Sequence, residues 1–307
     1  MQTAYISHPV CLKHDMGEHH PECPARMHAI EDQLIASGLF SYLQYHEAPE
    51  ATREQLLRVH DGAYLDAIVA TAPKQGMVEL DGDTTMNSFT YQAALRAAGA
   101  VVLGVDLVMA GMIENAFCNI RPPGHHAERS RAMGFCIFNN VAVGAAHALA
   151  AHGLKRVAIA DFDVHHGNGT ENIFHDDPRV MLCSTFQHPF YPYCGADSSN
   201  ARIINVPLAA GAGSEEFRDA VTNRWLPALE AFEPEFLFIS AGFDAHWEDD
   251  MSMLRLVDAD YAWVTERLKL IADKHCGKRI VSVLEGGYAL HALGRSATAH
   301  IKVLSGL

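Results

Sequence analysis

The chain has 307 residues, 49 % of them hydrophobic and 20 % charged, enough apolar surface for a sizeable core and unlike a disordered tail. Against 23 Lys and Arg stand 37 Asp and Glu, a formal net charge of −14, which argues against a nucleic-acid-binding face or an anionic membrane partner and mildly favours cationic ligands. Residues 1–10 hold no basic segment leading into an apolar stretch, and no later apolar run approaches the roughly 18 residues of a membrane span, so a soluble cytoplasmic protein is expected.

In chain order, helical periodicity covers residues 24–37, 61–71 and 88–110, the last rich in alanine and a good helix former despite Gly99 and Gly104. A short apolar run at 116–120 reads as a strand and is followed by a helix at 139–152. Strands are expected at 157–161, 180–184 and 202–206, then a helix at 214–231, a strand at 236–240, a helix at 258–275, a strand at 280–284 and a helix at 289–304. Near-continuous apolar strands alternating with helices predict an α/β fold with a central parallel sheet flanked by helices on both faces. No repeat or Pro/Ser-rich linker interrupts it, so residues 1–307 read as one domain. Seven cysteines with no C-x-x-C pair read as reduced, mostly buried thiols rather than a disulfide framework or thiolate zinc site.

Ligands of open parallel sheets bind beyond the carboxyl ends of the strands. Four strands here end in polar strings: Arg121-Pro122-Pro123-Gly124-His125-His126, Asp161-Phe162-Asp163-Val164-His165-His166-Gly167, Ser240-Ala241-Gly242-Phe243-Asp244-Ala245-His246 and Glu285-Gly286-Gly287-Tyr288. A parallel sheet brings all four to one rim. Asp163, His165 and Asp244 then offer two carboxylates and an imidazole, a donor set that suits a catalytic zinc with a position left for water. The i, i+2 spacing of Asp163 and His165 in an extended segment turns both side chains the same way. His125 and His126, braced by the Pro-Pro-Gly turn, suit general acid–base work, with Asp161 a candidate carboxylate behind one of them. Tyr288, after two glycines, can donate to a carbonyl oxygen that becomes an oxyanion.

Together these strings resemble the zinc-dependent histone deacetylase superfamily, which includes bacterial acetylpolyamine amidohydrolases and shares the arginase–deacetylase fold. The match runs from His20-Pro21-Glu22-Cys23-Pro24-Ala25-Arg26 to Glu285-Gly286-Gly287-Tyr288, nearly the whole chain. The resemblance implies a zinc held by Asp163, His165 and Asp244, with His126 as general base and acid, His125 its electrostatic neighbour backed by Asp161, and Tyr288 as carbonyl polariser. Asn168 stands behind His126 where some members carry Asp, as in the class II subgroup, and leaves His126 less biased toward the cation. A structural potassium is implied at Asp161, Asp163, His165, Ser184 and Thr185. A second monovalent site is not expected, because Arg202 stands where many members place an aromatic residue.

Gly134, Phe135 and Tyr191 match the walls of a substrate channel, Asp83 matches a rim aspartate, and Trp247-Glu248-Asp249-Asp250-Met251 falls at the channel mouth. An acidic mouth would draw a polyamine or a lysine-rich peptide. The expected reaction is hydrolysis of an N-acyl amine, such as acetyl-lysine or an acetylpolyamine, by metal-activated water. The alternatives are a non-catalytic acyl-amine binder on the same fold, or an arginase-like dinuclear ureohydrolase. The latter lacks its extra carboxylates, since Gly167 stands two residues beyond His165, and Ala245 and His246 follow Asp244.

Overall fold

Eight strands pair side by side in the order β2-β1-β5-β10-β9-β6-β7-β8, every pairing parallel. They are β1 (Thr3–Ser7), β2 (Leu43–Glu47), β5 (Asn115–Cys118), β6 (Val157–Asp161), β7 (Val180–Gln187), β8 (Ile203–Leu208), β9 (Phe236–Ala241) and β10 (Ile280–Leu284). A separate antiparallel hairpin joins β3 (Met77–Asp81) to β4 (Thr84–Asn87). This is a computed structural model, and it describes residues 2–198 and 200–307.

The central strands are buried along their whole length, and period-two alternation sends successive side chains to opposite cores. On β6 and β9, Val157, Ile159, Phe236 and Phe238 join one core with helices Thr90–Met109 and Asn140–Ala151. Ala158, Ala160, Leu237 and Ile239 join the other, with helices Ala25–Ala36, Asp258–Ile271 and Leu290–Ser305. The helix expected at 214–231 runs from Ser214 to Phe232 through a π turn at Val221–Trp225. Pro227, with no N–H to give, sits just beyond that widened turn.

All six expected strands are present, with ends shifted by a few residues. Two more, β1 and β2, extend the sheet. The edge strand β2 is half exposed, so its apolar content is too low to stand out. The hairpin is signalled only by Asp81-Gly82, a turn pair between the partly exposed β3 and the short β4. One expectation about apolar runs is corrected. Helix Thr90–Met109, 20 residues with hydropathy 1.5, is long and apolar enough to cross a membrane by length and composition. It lies against helix Asn140–Ala151 and the sheet, as a core helix.

Gly99 in that helix is decided by tertiary contact. A Cβ there would sit 1.9 Å from the Pro49 carbonyl oxygen. Gly99→Ala would gain about 1 kcal/mol of helix propensity, but the overlap falls on backbone and the strain, about 1–3 kcal/mol, outweighs it. The substituted protein is expected to unfold at lower denaturant than the parent; an equal or higher midpoint would show that residues 49–51 move aside freely.

Candidate active site

Strands β5, β10, β9 and β6 are neighbours in the sheet, so the four polar strings converge at one rim. Asp163 and His165 follow β6, and Asp244 follows β9. Their ligand atoms all lie within 4.8 Å of one another. His165 Nδ1 lies 3.1 Å from Asp163 Oδ1 and 3.2 Å from Asp244 Oδ2. The three residues are 1 %, 7 % and 0 % exposed, so two carboxylates are held side by side out of water. Burial and the charge of Asp163 push Asp244 up to about 6.

The outer oxygens are tied back. Asp163 Oδ2 accepts from Gly286 N–H at 2.8 Å and Asp244 Oδ1 from Val164 N–H at 2.9 Å. Asp244 Oδ2 is buried with no hydrogen-bond partner among the described residues. A Cβ on Gly286 would lie 2.0 Å from that oxygen, so the loop after β10 closes on the carboxylates only because it carries glycine. Two anionic oxygens and one imidazole nitrogen, buried and partly unsatisfied, fit a divalent cation with an open position. A dinuclear centre does not fit at residue 167, where a Cβ would already meet Asp161 Oδ2 at 2.4 Å.

A second group, Asp106, His147 and His152, has the same residue types but different chemistry. Both Nε2 atoms lie 2.8 Å from Asp106 Oδ1. The Arg58 guanidinium can only donate to His147 Nδ1, at 2.9 Å, which leaves the proton on Nε2 and a fixed positive charge alongside.

The paired imidazoles differ in charge. His125 Nδ1 lies 2.9 Å from Asp161 Oδ2. Burial opposes protonation of His125, but the carboxylates of Asp163 and Asp161 outweigh it and hold its pKa well above the usual range. His126 Nδ1 meets a neutral amide, Asn168 Oδ1, at 2.8 Å. Burial, then the charges of His125 and His165, push its pKa well below normal. One ring is thus set as a cation and the other as a free base.

Several residues of the quoted strings had no role assigned from sequence, because their partners lie far away in the chain. Glu22 and Arg26, both fully buried, and Arg121 form one ion-pair network: Arg121 donates to both Glu22 carboxylate oxygens and Arg26 to Oε1. Arg26 also donates to the carbonyls of Gly287, at 2.6 Å, and Glu285, at 2.5 Å, and its guanidinium lies 4.9 Å from the centre of the Tyr288 ring. Glu285 Oε2 accepts from Gly124 and His125 N–H, tying the histidine turn to the Tyr288 loop. Burial pushes that carboxyl up to about 7.

A pocket of about 280 Å³ opens onto these groups. His126, His165 and Tyr288 line it together with the expected Gly134, Phe135, Tyr191, Asp83 and Met251. Asp83 is delivered by the β3–β4 turn. Phe190, not among the expected wall residues, stacks on His165 with ring centres 5.7 Å apart. Two acids of the expected acidic mouth are engaged within the protein, while Asp250 is exposed. Asp249 is buried and accepts from the N–H groups of Tyr288, Ala289 and Met251, so it fixes the Tyr288 loop rather than facing solvent. Glu248 is paired with Arg295 at 2.7 Å.

Ser184 is the register partner of Asp161 on β7, and its Oγ is buried with no hydrogen-bond partner among the described residues. An oxygen-lined position beside a buried carboxylate fits a hard monovalent cation. Thr185, the next residue, turns its side chain to the opposite face, so only its main chain can join that group.

The histone deacetylase domain family matches residues 20–304. A probable deacetylase of Archaeoglobus fulgidus is 37 % identical over 298 residues, covering 94 % of this chain and 82 % of that one. A histone deacetylase-like amidohydrolase of Pseudomonas aeruginosa is 36 % identical, covering 100 % of this chain and 87 % of that one. The crystal structure of the HDA15 HD domain superposes with a TM-score of 0.93 at 37 % identity, covering 99 % of this chain and 88 % of that one.

Proposed function

The chain belongs to the histone deacetylase family and is a hydrolase of amide bonds, and from that premise we propose that it is a zinc-dependent deacylase of N-acyl amines. The observation that carries this reading is the meeting, in one aromatic-walled pocket, of a buried two-carboxylate, one-imidazole donor set with His126 and Tyr288. Asp163, His165 and Asp244 would hold the metal. When bound, a zinc ion supplies a Lewis acid and lowers the pKa of its water toward neutrality.

The remaining chemistry belongs to the side chains. His126, neutral and tied at Nδ1, takes the proton of the attacking water at Nε2 and returns it to the departing amine. Tyr288 O–H donates to the carbonyl oxygen as it gains negative charge. Phe135, Phe190 and Tyr191 enclose the methylene stem and exclude water. Among the described residues lining the pocket, Asp83 is the one acid, positioned to meet a cationic or main-chain N–H group of the substrate.

We take the substrate to be a small cationic acyl amine or an acetyl-lysine peptide, acetylpolyamine included. Ser184, Asp161 and the main chain of Asp163, His165 and Thr185 would hold potassium. Seven free thiols, five of them buried, suit the reducing cytoplasm.

Zinc-loaded protein is expected to hydrolyse a fluorogenic acetyl-lysine amide or an acetylated polyamine, to lose turnover on chelation and to regain it with zinc. Full zinc content without turnover on any acyl amine would overturn the reading in favour of a binding protein.

A further inference from the structure

An amide side chain can present either of two ends of nearly equal shape, and which end Asn168 shows His126 decides where the imidazole carries its proton. Asn168 Oδ1 lies 2.8 Å from His126 Nδ1, while its Nδ2 donates to Glu128 Oε1 at 2.8 Å. A carboxylate can only accept, so Glu128 claims the NH₂ end and leaves the oxygen for His126. That oxygen can also only accept. Nδ1 must therefore carry the proton, and Nε2 is left with its lone pair. With the amide turned round, Nδ1 would accept and Nε2 would hold the proton, the wrong tautomer for a base.

We propose that Glu128 is a positioning residue that acts through Asn168 to hold His126 in the tautomer needed to take a proton, an inference that rests on the reading of His126 as the base. The other acceptors near Asn168 Nδ2 are weak: Met133 Sδ at 3.3 Å and the His126 carbonyl at 3.5 Å. Glu128 is itself fixed, its N–H donating to the Arg131 carbonyl at 2.9 Å and its carbonyl lying 3.0 Å from His60 Nδ1. It does not line the substrate pocket. Glu128 and Asn168 line a separate cavity of about 420 Å³ that shares no lining residue with the substrate pocket. The neutral Asn168 thus receives its orientation from a carboxylate one step further out.

The test is a double-mutant cycle in the zinc-loaded full chain. Glu128→Ala is expected to lower kcat about tenfold, the lower end for an outer-shell partner, with KM and zinc content unchanged. In an Asn168→Asp background the same change is expected to cost less than about twofold, because a carboxylate has no NH₂ end to turn. Equal losses in both backgrounds, or no loss in the parent, would overturn the proposal. Nitrogen-15 NMR of labelled histidine reads the tautomer without substrate. Loss of the Nδ1–H form of His126 in Glu128→Ala supports the proposal even if the parent proves inactive, an outcome that would count only against the deacylase reading; retention of that form overturns it.

Discussion

Asp163→Asn is expected to abolish both zinc binding and turnover, with activity falling by more than about a thousandfold. The change is nearly isosteric. Its amide can keep an oxygen toward the Gly286 N–H that now donates to Oδ2 at 2.8 Å, so the loop after β10 stays in place. What disappears is one of two anionic groups in a donor set whose ligand atoms lie within 4.8 Å of one another, and with it most of the attraction for a divalent ion. The measurement is zinc per chain by elemental analysis alongside turnover, with circular dichroism to show that the fold persists. Undiminished zinc in a folded variant would falsify the assignment of Asp163 as a ligand.

Tyr288→Phe is expected to lower kcat by roughly 10²–10³, the worth of one oxyanion donor. The ring would remain where it is. Arg26 lies against its face at 4.9 Å, Phe135 meets it edge-on at 6.0 Å, and Asp249 holds its main-chain N–H at 2.6 Å. Only the hydroxyl is removed, so zinc content is expected to match the parent and KM to change little, because the oxygen's charge develops after binding. Turnover within a few-fold of the parent would show that another group stabilises the oxyanion.

These expectations draw on different levels of legibility. The spacing of Asp163 and His165 and the polar string after each of four apolar strands could be read locally, because strand periodicity and the geometry of parallel sheets act over a few residues. Asp249 could not. It sits in a run of three acids and reads as part of an acidic channel mouth until the fold wraps it beneath the Tyr288 loop. Glu22, Arg26 and Arg121 were equally silent as a network, since Glu22 and Arg121 stand 99 positions apart and Arg26 reaches the Gly287 carbonyl across 261. A charge in the chain does not announce its partner. Glu128 gave no sign of a role because its effect passes through the orientation of another side chain.

The amino-acid order by itself determined the layered α/β architecture, since apolar strands and amphipathic helices declare themselves by period, and it determined which residue types gather at the strand ends. Tertiary structure alone decided which acids face solvent and which become buried ties. It also decided that Gly99 and Gly286 are there to admit backbone and carboxylate, and that a hairpin delivers Asp83 to the pocket. The physical reason is range: hydrophobic periodicity acts between neighbours in the chain, whereas the pairing of buried charges is settled by crossovers that bring distant segments together in space.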